Sequence, residues 1–266
     1  MSVAVTQARP AGIYAAWQIP ASVALRWLVL VALLCAWELA ARAAGSNGLV
    51  APPSAVLQAL FTQVLPDSEV RAALTSAVFE ITAAYAIAVL GGLLMGLSVG
   101  WTPFGRNAFL PLIVFFYAIP QVVLLPLFTL GFGIGPAAKI AFGCSHGIFP
   151  VIVNTVAGMR NVNPLYLSAA RCMGARRSDI VRNVILPHIT GSLFAGLRLA
   201  MTMTLLGVIL AELYVSTSGI GYFTRQFANT FDPAPLFALI LALTCIAIVM
   251  NQIVRMAERH FTRWNG

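Results

Sequence analysis

Residues 81–105, ITAAYAIAVLGGLLMGLSVGWTPFG, run for 25 residues without a charge between Glu80 and Arg106. About 20 apolar residues in a helix, at 1.5 Å each, cross the roughly 30 Å hydrocarbon core of a bilayer. The stretch therefore predicts a membrane-spanning helix over about residues 73–100. Gly91, Gly92, Gly96 and Gly100 place small residues at helical spacing, which suits close contact with another helix. The whole chain agrees: of 266 residues 60% are hydrophobic and 9% charged, with 16 basic and 8 acidic side chains. Soluble domains carry about a quarter charged residues. A water-soluble enzyme of ordinary type is excluded, and so is disorder. The net charge of +8 would suggest nucleic acid in a soluble protein. Here it is expected to mark one side of a membrane, with no nucleic-acid partner.

Five further apolar stretches complete an all-α integral membrane protein of six transmembrane helices. They cover about residues 23–43, 108–131, 135–158, 191–214 and 236–255. A cleaved signal peptide is the rival reading of the first. The third contains Pro111, Pro120 and Pro126, tolerable in lipid only where neighbours or a water-lined cavity satisfy the freed carbonyls. Pro136 suits the first turn of the fourth. The expected organisation is an N-terminal cytoplasmic or interfacial segment over residues 1–22, a six-span transmembrane bundle over 23–257 with a loop at 159–190, and a C-terminal cytoplasmic tail over 258–266. With the N-terminus inside, Arg9, Arg26, Arg106, Arg160, Arg171, Arg176, Arg177, Arg182, Arg255, Arg259 and Arg263 fall on the cytoplasmic side. Arg42, Arg71, Lys139 and Arg225 fall outside. The positive-inside rule thus expects both termini in the cytoplasm.

Catalytic and metal chemistry finds little support. Cys35, Cys144, Cys172 and Cys245 show no CxxC spacing, and His146, His188 and His260 are scattered. The single lysine, Lys139, follows Ala138, so the Gly-Lys of a nucleotide-binding P-loop is missing.

The longest gap between spans reads NVNPLYLSAARCMGARRSDIVRNVILPHITGS over residues 161–192. Pro164 suits a helix start, and residues 165–185 are compatible with helix until Pro187. Ala170 and Gly174 would be neighbours on one helix face beside Ala169, where a partner's backbone could approach. Arg171, Arg176 and Arg177 surround that face. A basic loop resting on anionic lipid headgroups is the alternative.

Ser168-Ala169-Ala170, three residues, Gly174, nine residues, then Val184-Ile185-Leu186-Pro187 resembles the EAA loop of ABC importer permeases. Ser168 stands where the motif has Glu, and Val184 where it has Ile. Leu125-Pro126-Leu127, Gly131-Phe132-Gly133-Ile134-Gly135 and Lys139-Ile140 are similar to the nitrate/sulfonate/taurine branch. So are Phe149-Pro150, Asn154-Thr155, Gly158, Gly196-Leu197-Arg198, Ala211-Glu212-Leu213 and Gly219-Ile220-Gly221. The likeness covers about residues 48–264; Glu80 departs from an arginine common in that branch. It implies a type I permease whose loop between spans four and five forms a coupling helix. Ser168, Ala169, Ala170, Arg171, Gly174, Arg176, Arg177, Leu186 and Pro187 would dock a separate ATPase. The implied assembly has two cytoplasmic ATPases holding ATP and Mg, a second and identical permease, and a periplasmic or lipid-anchored binding protein. No cofactor is expected on this chain, and the cargo would be a sulfonate, taurine or nitrate-like anion.

Polar residues within the spans are expensive unless they face protein or water. Tyr117, Gln121, Ser145, His146, Thr202, Thr204 and Glu212 are candidates to line a path; helix–helix hydrogen bonding is the other reading. Arg198 and Glu212 lie fourteen residues apart, roughly 21 Å along a helix and too far to pair. Lys139 is expected to extend its ammonium to the membrane surface. A proton-coupled carrier using Glu80, His146 or Glu212 is the rival transport reading. A membrane-embedded enzyme would need a polar constellation that the spacing does not supply.

Overall fold

A computed structural model describes residues 21–45 and 50–262. The segment expected over residues 1–22 lies outside the described residues except for its last two, and residues 263–266 lie outside as well. The chain divides into two compact units, one through Ala55 and one from Val56. Among the described residues there is no strand.

In the first unit α1 (Ala21–Ala43) is mostly apolar, and Leu25, Leu28 and Leu33 are exposed. Just beyond it, Ser54 ties back to the helix end. Its N–H donates to Glu38 Oε2 at 3.0 Å and its hydroxyl to Glu38 Oε1 at 2.7 Å. Arg42 Nε donates to the same Oε1 at 2.6 Å.

The second unit begins within α2 (Pro53–Ala59) and its π-helical continuation, Leu60–Val64. Asp67 caps α3 (Ser68–Gly100) by accepting from the N–H groups of Glu69 and Val70. Thr102 then caps α4 (Pro103–Ala118). A 3-10 turn, Gln121–Leu124, leads into α5 (Leu125–Phe132), followed by α6 (Pro136–Arg160) and α7 (Pro164–Cys172). Next come α8 (Arg177–Ile180), a π-helical turn at Val181–Ile185, and α9 (Leu186–Tyr214). The chain ends with α10 (Ile220–Asn229) and α11 (Pro233–Thr262). Among the described residues five helices are long and apolar enough to cross a membrane, and with the bent pair α4–α5 taken as one span there are six.

The centre of the bundle is α6 between α3 and α9, and glycine makes it possible. A Cβ on Gly92, Gly96 or Gly100 of α3 would stand 2.7, 2.7 or 2.5 Å from Val151, Thr155 or Met159 of α6. These are matched i,i+4 ridges, so the helical spacing of the opening stretch becomes a close helix contact. Gly143, Gly147 and Gly158 do the same for α6 against Val208, Thr204 and Ser192 of α9. Ile81, Ala84, Met201, Val208, Met250 and Val254 form an apolar cluster joining α3, α9 and α11.

Four expectations change. The third span is not one helix: α4 and the segment Gln121–Phe132 meet at 81°. Proline explains the break, since the residue before it is driven to extended backbone and Ile119 sits at φ −65°, ψ 131°. The helix expected over 165–185 stops at Cys172. Gly174 takes φ +78°; its N–H donates to Arg171 O at 3.0 Å, and the Ala175 N–H to Ala170 O at 3.1 Å. That is a glycine-closed helix end, so Gly174 terminates α7 and does not share a packing face with Ala170. Pro187, expected to stop a helix, lies in the first turn of α9, where its missing N–H costs nothing. Span five therefore starts at Leu186, earlier than residue 191. Finally, α11 continues through Thr262, so the boundary expected at residue 257 falls inside a helix.

Candidate functional site

Two features stand out, one at each end of the bundle. At the arginine-rich end, Asn163 accepts the Leu165 N–H and starts α7 with Pro164 in its first turn. Met159, Val162, Ala170, Ile180, Ile185 and Ile189 pack together beneath the loop and hold α7 against the start of α9. His188 Nε2 lies 3.2 Å from Asn161 O, and its ring meets Tyr166 edge-on. Between these elements an open cleft of about 630 Å³ is lined by Tyr166, Ala169, Ala170, Met173, Val184 and Pro187, among others. Met173 is 80% exposed, and Leu165 and Tyr166 are also exposed. Apolar side chains presented together on a loop rich in arginine mark a contact surface.

Of the residues expected to dock an ATPase, Ala169, Ala170 and Pro187 line this cleft. Ser168, Arg171, Gly174 and Arg176 are exposed, and Leu186 packs under the loop. Arg177 lines a different cleft, with Trp101. Tyr166, Met173 and His188 were not singled out from the sequence. Their signal was modest: large side chains flanking a small-residue pair, which becomes readable only when the turn at Gly174 folds the loop back.

The expected path residues divide into groups. The Tyr117 ring stacks on Phe149, centroids 5.5 Å apart, across α4 and α6. The Ser145 hydroxyl reaches Gln121 Oε1 at 3.4 Å at the break before α5, while also lying 2.7 Å from Phe142 O. His146 is buried, with Nδ1 3.0 Å from Phe142 O and its ring on the Phe142 ring. Thr204 is buried against Gly147, whereas Thr202 is exposed and bonds Arg198 O. Thr202 therefore stands apart from the other six.

Glu212 belongs to the second feature, at the opposite end. Lys139 Nζ donates to Glu80 Oε1 of α3 at 3.2 Å, to Glu212 Oε1 of α9 at 3.3 Å and to Ser218 O at 3.2 Å. The three charged residues are 2% (Glu80), 4% (Lys139) and 0% (Glu212) exposed. Lys139 is thus fully partnered inside the bundle, correcting the expectation that it reaches for the membrane surface. The lysine sits one turn into α6, within reach of both the Glu80 and Glu212 carboxylates. Glu212 Oε2 accepts the Gly221 N–H at 3.0 Å. Gly219, at φ +109°, brings its backbone so near that a Cβ would stand 2.2 Å from Glu212 Oε1. Arg225 completes the turn by donating to Leu213 O and Ser216 O, each at 3.1 Å. Glu80 Oε2 has no hydrogen-bond partner among the described residues. Arg198 of α9 pairs with Glu258 of α11. His146 does not join the cluster, so the three groups of the proton-carrier reading are not brought together.

The six spans, the glycine-packed centre and the loop define a polytopic integral membrane protein of the transport-subunit kind. Residues 88–263 match the family described as binding-protein-dependent transport system inner membrane component, and the chain belongs to that family. It is similar to the formylaminopyrimidine transport permease protein ThiX of Halalkalibacterium halodurans, 28% identical over 237 residues, 89% of this chain and 94% of the relative. It is also 28% identical to the taurine transport system permease protein TauC of Escherichia coli over 255 residues, 94% and 93% of the two chains. The putative aliphatic sulfonates transport permease protein SsuC of Bacillus subtilis is 26% identical over 246 residues, 91% and 88%. An inward-facing structure of the MetNI methionine ABC transporter shares the fold with TM-score 0.54 at 22% identity, covering 71% of this chain and 98% of that one. The chain is therefore an ABC importer permease subunit and an integral inner membrane protein, as its sequence resemblance implied.

Proposed function

We propose that this chain forms half of the passage of an ATP-driven importer for small sulfonate- or taurine-like anions, a second identical chain supplying the other half. Two cytoplasmic ATPases bind and hydrolyse ATP with Mg. They dock at the loop bearing Ser168, Ala169, Ala170, Arg171, Gly174, Arg176, Leu186 and Pro187, with both termini of the permease in the cytoplasm. A periplasmic or lipid-anchored binding protein delivers the cargo. The observation that carries this reading is the open cleft lined by Tyr166, Ala169, Met173 and Pro187 within the loop that resembles the coupling motif. Its exposed methionine and tyrosine offer an apolar seat for a partner element, and the arginines around it supply steering charge. The passage itself requires no tight binding. Lys139 and Arg198, two cations of α6 and α9, are both held by carboxylates. An anion crossing the bundle would meet little that traps it, which suits a chain whose partner chooses the cargo.

The test is reconstitution with a cognate ATPase and binding protein, measuring uptake of labelled taurine, an aliphatic sulfonate, nitrate and formylaminopyrimidine. ATP-dependent uptake of the sulfonates is expected, and Ala169→Trp, which fills the cleft, should abolish it together with ATPase co-purification. Uptake of formylaminopyrimidine alone would overturn the anion reading. Normal uptake by Ala169→Trp would overturn the docking reading.

A further inference from the structure

The arginine-rich end carries a second cleft, lined by residues other than those around Ala169 and Pro187. Leu97, Ser98 and Trp101 at the end of α3 face Arg177, Ser178 and Val181 across about 390 Å³ of open space. The lining is divided in character. Leu97, Val181 and the body of Trp101 are its apolar part. The Arg177 guanidinium, the Ser178 hydroxyl and the Trp101 indole N–H are donors without a hydrogen-bond partner among the described residues. Ser98 offers only lone pairs, because its hydroxyl donates to Leu94 O at 2.7 Å.

Depth comes from α3. Residues 81–100 carry no charge, and 20 helical residues cover about 30 Å, the thickness of the hydrocarbon core. Trp101 follows at the boundary, where tryptophan is favoured. Leu90 and Leu94, both exposed, precede Leu97 and Trp101 at intervals of four, three and four residues. One apolar stripe of α3 therefore runs out of the membrane and into the cleft. On the far side of Trp101, Arg106 and Arg171 line a small adjoining cleft and add positive charge. The nearest acid in sequence, Asp179, is turned to the Arg176 N–H at 3.0 Å.

We propose that this cleft binds one anionic phospholipid of the adjacent leaflet. Its phosphate is held by Arg177, Ser178 and the Trp101 N–H, and one acyl chain lies along Leu97, Leu94 and Leu90. A free phosphate would leave the stripe uncovered, and a zwitterionic lipid would not answer the surrounding arginines. Arg177 then serves the membrane, while the cleft at Ala169 stays free for the ATPase, so the two assignments stand or fall separately.

Native mass spectrometry of the purified chain with equimolar phosphatidylglycerol and phosphatidylcholine is the test. The unaltered protein should retain phosphatidylglycerol preferentially. Arg177→Gln should reduce that retention ~5-fold, the effect of one arginine at a charged membrane surface. Arg177→Lys should keep most of it, and Arg255→Gln, at an exposed site on α11, should change little. Unchanged retention in Arg177→Gln, or an equal loss in Arg255→Gln, would overturn the proposal. Glycerol phosphate retained as well as the lipid would show a plain anion site, also overturning it. Loss of ATPase co-purification with lipid retention intact would give the cleft to the ATPase. Should Arg177→Gln not fold, photoreactive phosphatidylglycerol on the unaltered protein decides. Crosslinks must fall within residues 90–101 and 177–181, and crosslinks confined to other segments overturn the site.

Discussion

Lys139 Nζ lies 3.3 Å from Glu212 Oε1, joining residues 73 positions apart at the start of α6 and the end of α9. The same nitrogen reaches Glu80 of α3 and the carbonyl of Ser218, so one ammonium fastens three helices and the turn before α10. Removing one member of a buried ion pair leaves a desolvated charge and typically costs about 3–5 kcal/mol. Lys139→Met should therefore be strongly destabilising, read as an early melting transition in detergent. Glu80→Gln should cost far less, because Lys139 keeps Glu212 and Ser218. The double change Lys139→Met/Glu212→Gln should melt later than Lys139→Met alone. A Lys139→Met protein as stable as the parent would refute the latch.

Gly219→Ala should damage the same corner by another route. The residue sits at φ +109°, and a Cβ would stand 2.2 Å from the Glu212 carboxylate. Both the strained backbone and the clash act together, so a loss of about 2 kcal/mol or more is expected. Glu212→Ala on top of Gly219→Ala removes the clash but not the strain. The double variant should therefore recover only part of the loss attributable to glycine, measured as non-additivity in melting.

Much of this architecture was legible in the sequence, and what was not has identifiable causes. The charge-free stretch after Glu80 gave the span and its glycine ridge, since hydropathy and i,i+4 spacing are local properties. The bend at Ile119–Pro120 was signalled only as a proline tolerated in a span, because which of Pro111, Pro120 and Pro126 breaks a helix depends on packing. Pro111 stays inside α4. Spacing alone places Gly174 on a packing face with Ala170, because it cannot reveal a positive φ. The burial of Lys139 is not legible for a related reason: both carboxylate partners are distant in sequence, at Glu80 and Glu212. Arg198 and Glu212 were correctly kept apart by helix geometry, and their true partners, Glu258 and Lys139, lie on other helices.

Thr155 and Thr204 separate packing from transport. Their Oγ1 atoms are buried without a hydrogen-bond partner among the described residues; the Thr155 methyl fills space against Gly96, and the Thr204 Oγ1 stands against Gly147. Replacing an unpaired buried hydroxyl by a methyl of the same shape is close to neutral or stabilising. Thr155→Val and Thr204→Val should thus leave the melting temperature unchanged or raise it slightly. If Thr204 lines the passage, Thr204→Val should nonetheless lower uptake where Thr155→Val does not. Equal uptake by both variants would make Thr204 a packing residue only.

Gly174 is the sharpest test of the coupling loop, because the structure assigns it a conformational role in place of a packing one. A Cβ there would meet nothing within 4 Å, yet φ is +78°. Side-chain size should matter less than tolerance of left-handed backbone. Gly174→Asn, suited to that region, should keep ATPase co-purification near the parental level, whereas Gly174→Val should lose most of it. Both variants should insert and melt much as the parent does, since the turn is exposed and the spans do not depend on it. Were the position a packing contact for the ATPase, asparagine would be as harmful as valine. Equal loss in the two variants, measured by pull-down at matched expression, would return Gly174 to the docking face.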